Sequence, residues 1–407
     1  MGLVIGVDFG SAYLRGAVKK PDGYGAFYEM PSAIGVRKRN WLCGYSAVSY
    51  AASKPHQVIF NLKQFKNPKF LETVKETDFP HSISNGPEGL SIPLTLGKSV
   101  REWTIPELEA RSLGAVTQTA KNLYKTPATD AVIAVPDNAS DEEIESIVRS
   151  AMSCDLNVKP MRESVLAVIA KGLDKGLGDR LVAVVHVGQS LTMSLVRIKD
   201  RDMYVEKVVL HDEKLCGNDV DERLLEFLAP GVKTAIWDPL EKDEKKKMSV
   251  EQLQSHKHVV RRRLLNTLNS GKKKFESKDS HKVQVTLEGQ KFKTFLLSSK
   301  YKEVCQNATR CIIEKVNEQF EDENSTTGDK HKKSDLFAAV IVGGLFNNPV
   351  VKESLLDCFR DVPTLYDRIP EQTIALGGAM HGEKITDGGT IPIPPFPFSA
   401  PDEGSSV

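Results

Sequence analysis

The fold of this 407-residue chain is decided by one stretch near its N-terminus, Val4-Ile5-Gly6-Val7-Asp8-Phe9-Gly10-Ser11-Ala12-Tyr13-Leu14-Arg15-Gly16-Ala17-Val18. Two apolar runs flank a glycine-containing turn, which predicts a strand, a tight turn and a second strand. Gly10 permits a positive φ, so the amides of Ser11, Ala12 and Tyr13 could converge on one anion such as a phosphate. Asp8 lies at the lip of this turn, where it could hold the water shell of a Mg²⁺ ion. An ordinary β-hairpin with a turn aspartate accounts for the stretch equally well.

The composition argues against several classes of partner. The chain has 55 basic and 54 acidic residues, a net charge of +1, so no global field attracts nucleic acid or a membrane surface. No apolar run reaches the roughly 18 residues of a membrane span, and the N-terminus carries no secretion signal. The six cysteines are scattered without a CxxC pair, which is typical of a reducing compartment. We therefore expect a cytoplasmic protein that binds neither nucleic acid nor membrane.

Alternating strand and helix patterns predict an α/β fold built twice. Residues 131–136 form an apolar run that ends in proline, typical of a buried strand, and Ser140 is placed to cap the helix that follows. A further helix opens at Arg162. Residues 181–196 then repeat the shape of the first hairpin. This repetition predicts a first lobe over residues 1–175, a second lobe over 176–385 and a proline-rich flexible tail over 386–407.

The cations of the sequence have a simple interpretation as surface residues. Lys63 stands almost alone in an apolar stretch, where most lysines are solvated. Three basic runs, 245–247, 261–263 and 272–274, lie in a charged region that also carries an apolar stripe. Since neither aromatic interleaving nor net positive charge accompanies them, we interpret these runs as solvated helical faces rather than a nucleic-acid site.

Taken together, the glycine turns resemble the nucleotide-binding domain of the 70-kDa heat-shock chaperone family, which has the actin-like ATPase fold. The first hairpin is similar to the family's first phosphate loop, and the later segments match in the family's order: 186–194 the second phosphate loop, 215–221 a loop near the phosphates, 342–349 the adenosine motif, and 370–379 the closing helix. The resemblance runs from about residue 3 to about residue 385. It implies two duplicated α/β lobes that flank a nucleotide cleft.

The resemblance also implies a role for each matching residue. It places ATP or ADP with Mg²⁺ in the cleft, with the metal held through Asp8. It makes Lys63 the catalytic lysine and Glu163 the acidic residue that helps to hold the water shell of the metal. The remaining nucleotide contacts that it implies fall on Gly10, Ser11, Ala12, Tyr13, Gly188, Gln189, Ser190, Gly217, Asn218, Lys272, Lys273, Gly343, Gly344 and Glu371.

Departures from the family pattern concentrate around the phosphates. The aspartates expected before and after the second phosphate loop are His186 and Thr192, and Gly188-Gln189 stands where three glycines are expected. The arginine that should stack on adenine is Lys273, which lacks a planar face. Further departures fall at Ser190, Asn269, Glu276, Leu345 and Asn347.

These departures predict a nucleotide-binding protein with weak or absent hydrolysis. Losing one acidic group beside the metal and one amide contact should cost on the order of 10²–10⁴ in rate. The chain also shows no leucine-rich linker and no peptide-binding domain after residue 385, so we expect its output to pass through a partner. The resemblance suggests a co-chaperone of the J-domain or nucleotide-exchange type, or a ribosome-associated protein.

Two other functions stay open. An active ATP-hydrolysing chaperone subunit is possible if His186 substitutes for the lost acid. A sugar kinase with the same fold is a more distant alternative, because no candidate base for a sugar hydroxyl stands at a suitable strand end.

Overall fold

The computed structural model describes residues 2–66, 79–86, 89–200, 202–242, 248–272, 274–275, 278–321 and 330–386. The basic run 245–247, Lys273, Glu276 and the proline-rich segment 391–398 lie outside the described residues. In chain order the described strands are β1 (Leu3–Phe9), β2 (Tyr13–Lys20), β3 (Gly23–Pro31), β4 (Ala33–Arg37), β5 (Asn40–Cys43), β6 (Val58–Phe60), β7 (Ser84–Gly86), β8 (Gly89–Leu96), β9 (Ser99–Thr104), β10 (Ala128–Val135), β11 (Asn157–Arg162), β12 (Asp179–Val187), β13 (Leu191–Lys199), β14 (Asp202–Asp212), β15 (Ser280–Leu287), β16 (Gln290–Leu297), β17 (Ala338–Val342) and β18 (Thr364–Leu365).

The helices of the same described residues are α1 (Tyr45–Ala51), α2 (Ile105–Tyr124), α3 (Asp141–Met152), α4 (Glu163–Ala170), α5 (Gly217–Val232), α6 (Asp238–Lys242), α7 (Val250–Lys272), α8 (Ser298–Asn317), α9 (Pro349–Cys358) and α10 (Thr373–Thr386). A π-helical turn, Lys233–Trp237, joins α5 to α6. Short 3₁₀ turns occur at Pro55–Gln57, Leu62–Lys66, Lys333–Asp335, Gly344–Asn347 and Pro370–Gln372.

Two five-stranded sheets with the same strand order form the two lobes. The first sheet runs β11-β10-β1-β2-β3 and the second runs β18-β17-β12-β13-β14. In each sheet three antiparallel strands are consecutive in the chain, and two later strands add in parallel beside the first of them. The parallel strands are buried apolar runs, as sheets covered on both faces require. This match confirms the duplicated α/β fold that the two hairpins predict.

Helices and small sheets extend each lobe around the cleft. In the first lobe the sheets β4–β6 and β7–β9 pack with α1 and α2. In the second lobe α5, α7, α8 and the β15–β16 hairpin share one apolar core. These additions extend each lobe beyond its large sheet.

Helices α2 and α3 begin with capping boxes, and the one at Ser140 confirms the cap that the sequence predicts. The Thr104 hydroxyl accepts a bond from the amide of Glu107 at 3.4 Å, and the carboxylate of Glu107 accepts one from the amide of Thr104 at 3.0 Å. Ser140 and Glu143 make the same reciprocal pair at the start of α3. Each pair satisfies two amides that a helix N-terminus would otherwise leave unpaired.

Helix α5 begins earlier than the sequence indicates. The resemblance makes residues 215–221 a loop, but α5 already starts at Gly217. Cys216 adopts a left-handed conformation with φ of 64° and makes the turn that the loop was expected to make. A Cβ at Gly217 would lie 3.0 Å from the carbonyl oxygen of Gly188, so this glycine brings the start of α5 against the second phosphate loop.

Helix α10 joins the lobes through backbone contacts that only glycine permits. A Cβ at Gly6 in β1 would lie 2.1 Å from the carbonyl oxygen of Ala375, and a Cβ at Gly377 would lie 2.0 Å from that of Leu166 in α4. Around this crossing, side chains of α4 and of both sheets share one apolar cluster. The position of one lobe relative to the other therefore depends on α4 and α10.

We expect the change Gly6→Ala to lower the free energy of unfolding by at least about 2 kcal/mol, because the new methyl group must push α10 away from β1. Urea denaturation measures this effect. The matched control is Gly114→Ala in the interior of α2, where a Cβ meets nothing within 4 Å. That control should raise stability by about 0.5–1 kcal/mol. Equal stabilities for the two variants would contradict the close crossing.

Candidate functional site

The carboxyl ends of the central strands of both sheets carry the polar side chains of the cleft. Asp8 lies near the end of β1, Asp137 follows the end of the neighbouring β10, and His186 lies near the end of β12. Glu163 opens α4, directly after β11. Because parallel strands present these ends at one edge, the two lobes place their polar residues opposite each other at the floor of the cleft.

Lys63, Glu163 and His186 form a compact ionic cluster at this floor. The Lys63 Nζ lies 2.5 Å from one carboxylate oxygen of Glu163, and the Nδ1 of His186 lies 3.4 Å from the other. Burial raises the pKa of Glu163, but Lys63 and His186 outweigh that effect, so its pKa is held below the ordinary value. Burial likewise works against the charge of Lys63, but Glu163 raises the pKa of this lysine. Lys63, expected from its sequence context alone to be a surface residue, is thus tied into the cleft.

Asp8 faces an arginine that the sequence analysis missed. The antiparallel register of the first hairpin places Arg15 opposite Asp8, and its guanidinium lies 3.7 Å from Asp8 Oδ2. The same arginine approaches Glu29 at 3.4 Å. Asp8 Oδ1 is buried without a hydrogen-bond partner among the described residues. Burial raises the pKa of Asp8 although Arg15 opposes that shift.

A third carboxylate, Asp137, links the two lobes. One of its oxygens accepts hydrogen bonds from the amide and the hydroxyl of Ser164, at 3.0 and 2.9 Å. The other accepts a bond from the hydroxyl of Ser194 in β13 at 2.6 Å. Asp137, Glu163, Ser164 and His186 line one small cavity between the lobes, together with Val184, Thr192, Val342 and Ile374.

The residues expected on the second-lobe side of the nucleotide also meet. The amides of Gly217 and Asn218 donate to the carbonyls of Gly188 and Gln189 at 3.1 and 3.0 Å. The Gln189 side chain donates to the Asn218 side chain at 2.6 Å. The amide of Gly188 donates to the carbonyl of Ser190 at 3.1 Å, which closes the shortened loop into a tight turn.

Lys272, at the end of α7, lies close to the contacts between Gln189 and the start of α5. Its ammonium group is paired with Asp221 in α5, and Asp221 also accepts from Gln189 at 3.4 Å. Lys273, its expected neighbour at the adenine, lies outside the described residues.

The expected adenosine motif follows strand β17. Gly343 has φ of 103°, and a Cβ there would lie 2.5 Å from the carbonyl oxygen of Val187, so β17 turns tightly over the end of β12. The next residue, Gly344, lies close to Glu371, whose carboxylate accepts a bond from the Asn347 side chain at 2.8 Å. These residues lie at one end of the second sheet, as their order in the chain suggests.

Position 10 requires glycine because there is no room for a side chain, not because the backbone has a positive φ. We expected a positive φ at this turn, but the φ of Gly10 lies outside the left-handed region. A Cβ at Gly10 would instead lie 2.6 Å from the carbonyl oxygen of Tyr13. The first phosphate loop is therefore tight enough to exclude any side chain at this position, and Ser11 and Ala12 form the bend between β1 and β2.

Part of the basic run 261–263, which we expected to face solvent, contacts the first lobe at the mouth of the cleft. Arg261 fits that expectation, since it is exposed and paired with Glu222. Arg262 lies 3.5 Å over the ring of Phe60 in the first lobe, and burial lowers its pKa to about 10. Arg263 donates to the carbonyl of Ala52 at 2.7 Å.

Asn266, one turn further along α7, donates to the carbonyl of Val48 at 3.3 Å. The expectation of a solvated face is thus wrong for Arg262 and Arg263, because an apolar stripe on α7 turns its neighbouring face toward the first lobe.

Three residues of the site escaped the sequence analysis: Arg15, Asp137 and Ser194. Arg15 was visible as a charge inside an apolar strand pattern, opposite Asp8 in a hairpin of this length. Asp137 and Ser194 are 57 residues apart and meet only through the packing of the two sheets. No local signal marks them.

Among the described residues, no group of three or more His, Cys, Asp or Glu side chains is arranged to hold a metal ion. The same part of the chain contains no helix long and apolar enough to cross a bilayer.

Comparison with known proteins identifies the family. The family described as Hsp70 protein matches residues 4–390, so this chain belongs to the Hsp70 family. It is 25% identical over 406 residues to a protein named chaperone protein DnaK from Psychrobacter cryohalolentis, which covers 95% of this chain and 59% of that relative. It is 23% identical over 398 residues to heat shock 70 kDa protein 2 from Paracoccidioides lutzii, with 93% and 57% covered. A DnaK of Buchnera aphidicola is 25% identical over 405 residues, with 94% and 59% covered.

The chain thus spans about three-fifths of the length of these curated relatives. Hsp70 family proteins generally bind nucleotide and work with co-chaperones. The resemblance stated from the glycine turns is therefore confirmed, and this chain is a divergent chaperone-like member of the family.

The ion pair of Lys63 and Glu163 provides a test of the site geometry. We expect Lys63→Met to lower the free energy of unfolding by about 3 kcal/mol, because it leaves a buried carboxylate with one charged partner fewer. The double variant Lys63→Met/Glu163→Gln should cost clearly less than the sum of the two single changes. Chemical denaturation measures all three variants. Arg149→Met, which breaks an exposed pair with Glu145, is the control and should change stability by less than about 0.5 kcal/mol. Additive single changes would show that the pair does not exist in solution.

Proposed function

We propose that this chain binds ATP or ADP in the cleft between its lobes and hydrolyses ATP weakly or not at all. The observation that carries the proposal is the ionic cluster at the cleft floor, in which Glu163 is held by both Lys63 and His186. It supports nucleotide binding because Lys63 of the first lobe meets His186 of the second lobe at one carboxylate, and His186 lies beside Gly188 and Gly343. It argues against efficient hydrolysis because the groups that should organise the attacking water already bind each other.

The proposed contacts follow the family order. The first lobe contributes the loop Gly10, Ser11, Ala12 and Tyr13. The second lobe contributes the residues that meet around the second phosphate loop and the end of β17: Gly188, Gln189, Ser190, Gly217, Asn218, Lys272, Gly343, Gly344 and Glu371. Lys273 completes the proposal on the adenine side. The lobe limits at residues 175 and 385 belong to the same proposal.

Phosphoryl transfer needs charge neutralised around the γ-phosphate and a water held in line with it. Lys63 can neutralise charge, whereas His186 and Thr192 stand opposite each other in β12 and β13, where acids are expected. The hydroxyl of Thr192 bonds instead to the His211 ring at 3.0 Å. We infer that the loss of two carboxylates at neighbouring positions removes the orientation of the attacking water.

The Mg²⁺ expected at Asp8 does not fit these residues well. The two oxygens of Glu163 are paired with the side chains of Lys63 and His186, and one oxygen of Asp8 lies 3.7 Å from Arg15. Magnesium prefers carboxylate oxygens and water in an octahedral shell. No step is therefore assigned to the metal.

An ATP titration by calorimetry, paired with a single-turnover ATPase assay, tests the proposed function. We expect saturable binding and a turnover about 10²–10⁴-fold below that of ordinary family members. The double change His186→Asp/Thr192→Asp should recover part of the rate, because these positions are register partners and restore two acids at one place. Thr234→Asp on the exposed π-helical turn is the control for an added acid. A family-typical rate in the unaltered protein would refute the assignment of weak hydrolysis.

We further propose that the chain acts through a co-chaperone of the J-domain or nucleotide-exchange type, or a ribosome-associated protein, in a cytoplasmic setting. Its six unpaired cysteines support a reducing compartment. Its second lobe exposes Phe295 and Leu297 on one face of β16, and Lys300 lies over the exposed ring of Phe227 nearby. An exposed apolar group of this kind is typical of a protein-binding surface.

We expect the purified chain to bind a purified exchange-type co-chaperone, and Phe295→Ser/Leu297→Ser to weaken that binding at least about tenfold. Surface plasmon resonance measures the affinity. Val100→Ser, at an exposed position of the first lobe, should leave it unchanged. A fluorescent-peptide assay runs in parallel, and nucleotide-dependent peptide capture by the isolated chain would contradict the partner-mediated function.

A further inference from the structure

The carboxylates at the cleft floor are already engaged by side chains of this protein. Glu163 contacts Lys63 with one oxygen and His186 with the other. Asp137 has both oxygens hydrogen-bonded to the serines at positions 164 and 194. Of these two residues and Asp8, the one buried oxygen without a hydrogen-bond partner in the described part of the chain is Oδ1 of Asp8.

The charged group in contact with this carboxyl is Arg15, which lies 3.7 Å from the other oxygen of Asp8. Lys63 and His186 also act electrostatically on the carboxyl, and Glu163 opposes them. A divalent cation at Oδ1 would therefore be opposed by cations already in place.

An anion would be favoured where a divalent cation is opposed, beside the side chains of Lys63, His186 and Arg15. The side chains of Lys63 and His186 are 25% and 27% exposed, so both can reach a ligand in the cleft. Arg15 is 11% exposed, and its planar guanidinium suits the oxygens of a phosphate. These groups neutralise phosphate charge from the protein itself.

We propose that this protein binds the phosphates of its nucleotide without a divalent metal ion, with Arg15 and Lys63 supplying the positive charge. The inference rests on the proposed nucleotide-binding function and deepens it, since it names the form of the ligand as free ATP or ADP rather than its magnesium complex. Arg15 has the decisive place, because it occupies the carboxylate through which the metal would be held.

Calorimetric titration of the full chain with ATP, in excess EDTA and in millimolar MgCl₂, tests this inference. We expect dissociation constants that differ by less than about threefold between the two solutions. Binding that is tenfold or more tighter with magnesium overturns the inference and leaves the proposed function intact. An absence of binding in both solutions overturns the proposed function itself, so the two failures are distinguishable.

Variants then assign the effect to named residues. Arg15→Ala should weaken binding in EDTA about tenfold, and Arg15→Lys should retain most of the affinity because it keeps the charge. The double change Arg15→Ala/His186→Asp should make binding depend on magnesium by about tenfold or more, since it removes one cation and adds one acid. Arg149→Ala, on the exposed face of α3, is the control and should bind as the unaltered chain does.

Circular dichroism and the thermal midpoint of each variant establish that it is folded before titration. A folded double variant that still binds equally well in both solutions would contradict the role given to Arg15 and His186.

Discussion

The contact on which the rest of the structure depends is the backbone-to-backbone crossing of α10 over β1 and α4. No side chain fits between these elements at Gly6 and Gly377, because a Cβ at either position would lie about 2 Å from a carbonyl oxygen. The crossing holds α10 against β1 and α4, and α4 shares an apolar cluster with both sheets, which carry the polar residues of the cleft at their carboxyl ends. A change of a few tenths of an ångström at these glycines would therefore be transmitted to Asp8 and Glu163. The small residues of α10 are therefore needed for the positions of the site residues as well as for the packing of the core.

The cleft that results differs from a metal-centred phosphate site in its charge. A site organised around a divalent ion needs free carboxylate oxygens, whereas here both oxygens of Glu163 and one oxygen of Asp8 are engaged by Lys63, His186 and Arg15. Such pairs pre-organise the cations, because each is held in position before any ligand arrives. They also take away the acids on which the hydrolysis chemistry of the fold depends. Under the proposed function, the same internal pairs account for nucleotide binding without efficient hydrolysis.

Much of the fold could be predicted from the sequence, and the reasons are local. The two hairpins, the buried strands and the N-caps at Thr104 and Ser140 each carry their signal within a few residues. The site was less accessible because its contacts are not local: Lys63 meets a carboxylate one hundred positions away, and Asp137 meets Ser194 across two sheets. Lys63 entered the prediction only through family resemblance. The prediction of a positive φ at Gly10 was wrong. The sequence shows that the residue is a glycine, but it does not show whether the glycine is needed for a positive φ or for lack of room for a side chain.

At the cleft mouth the two lobes contribute different kinds of chemical group to the hydrogen bonds between them. From the second lobe they use the side chains of Arg263 and Asn266, but from the first lobe they use the main-chain carbonyls of Ala52 and Val48. Every residue type carries a carbonyl, so a substitution at position 48 or 52 does not remove the acceptor, although the Val48 side chain also packs against a small apolar cluster of the first lobe. At positions 263 and 266 the donor atoms belong to the side chains, so a substitution there can remove the hydrogen bond. Tolerance to mutation is therefore unequal on the two sides of this contact. Variants at positions 48 and 52 of the first lobe keep their carbonyl acceptors, so the hydrogen bonds between the lobes can persist while the side chains of the first lobe change.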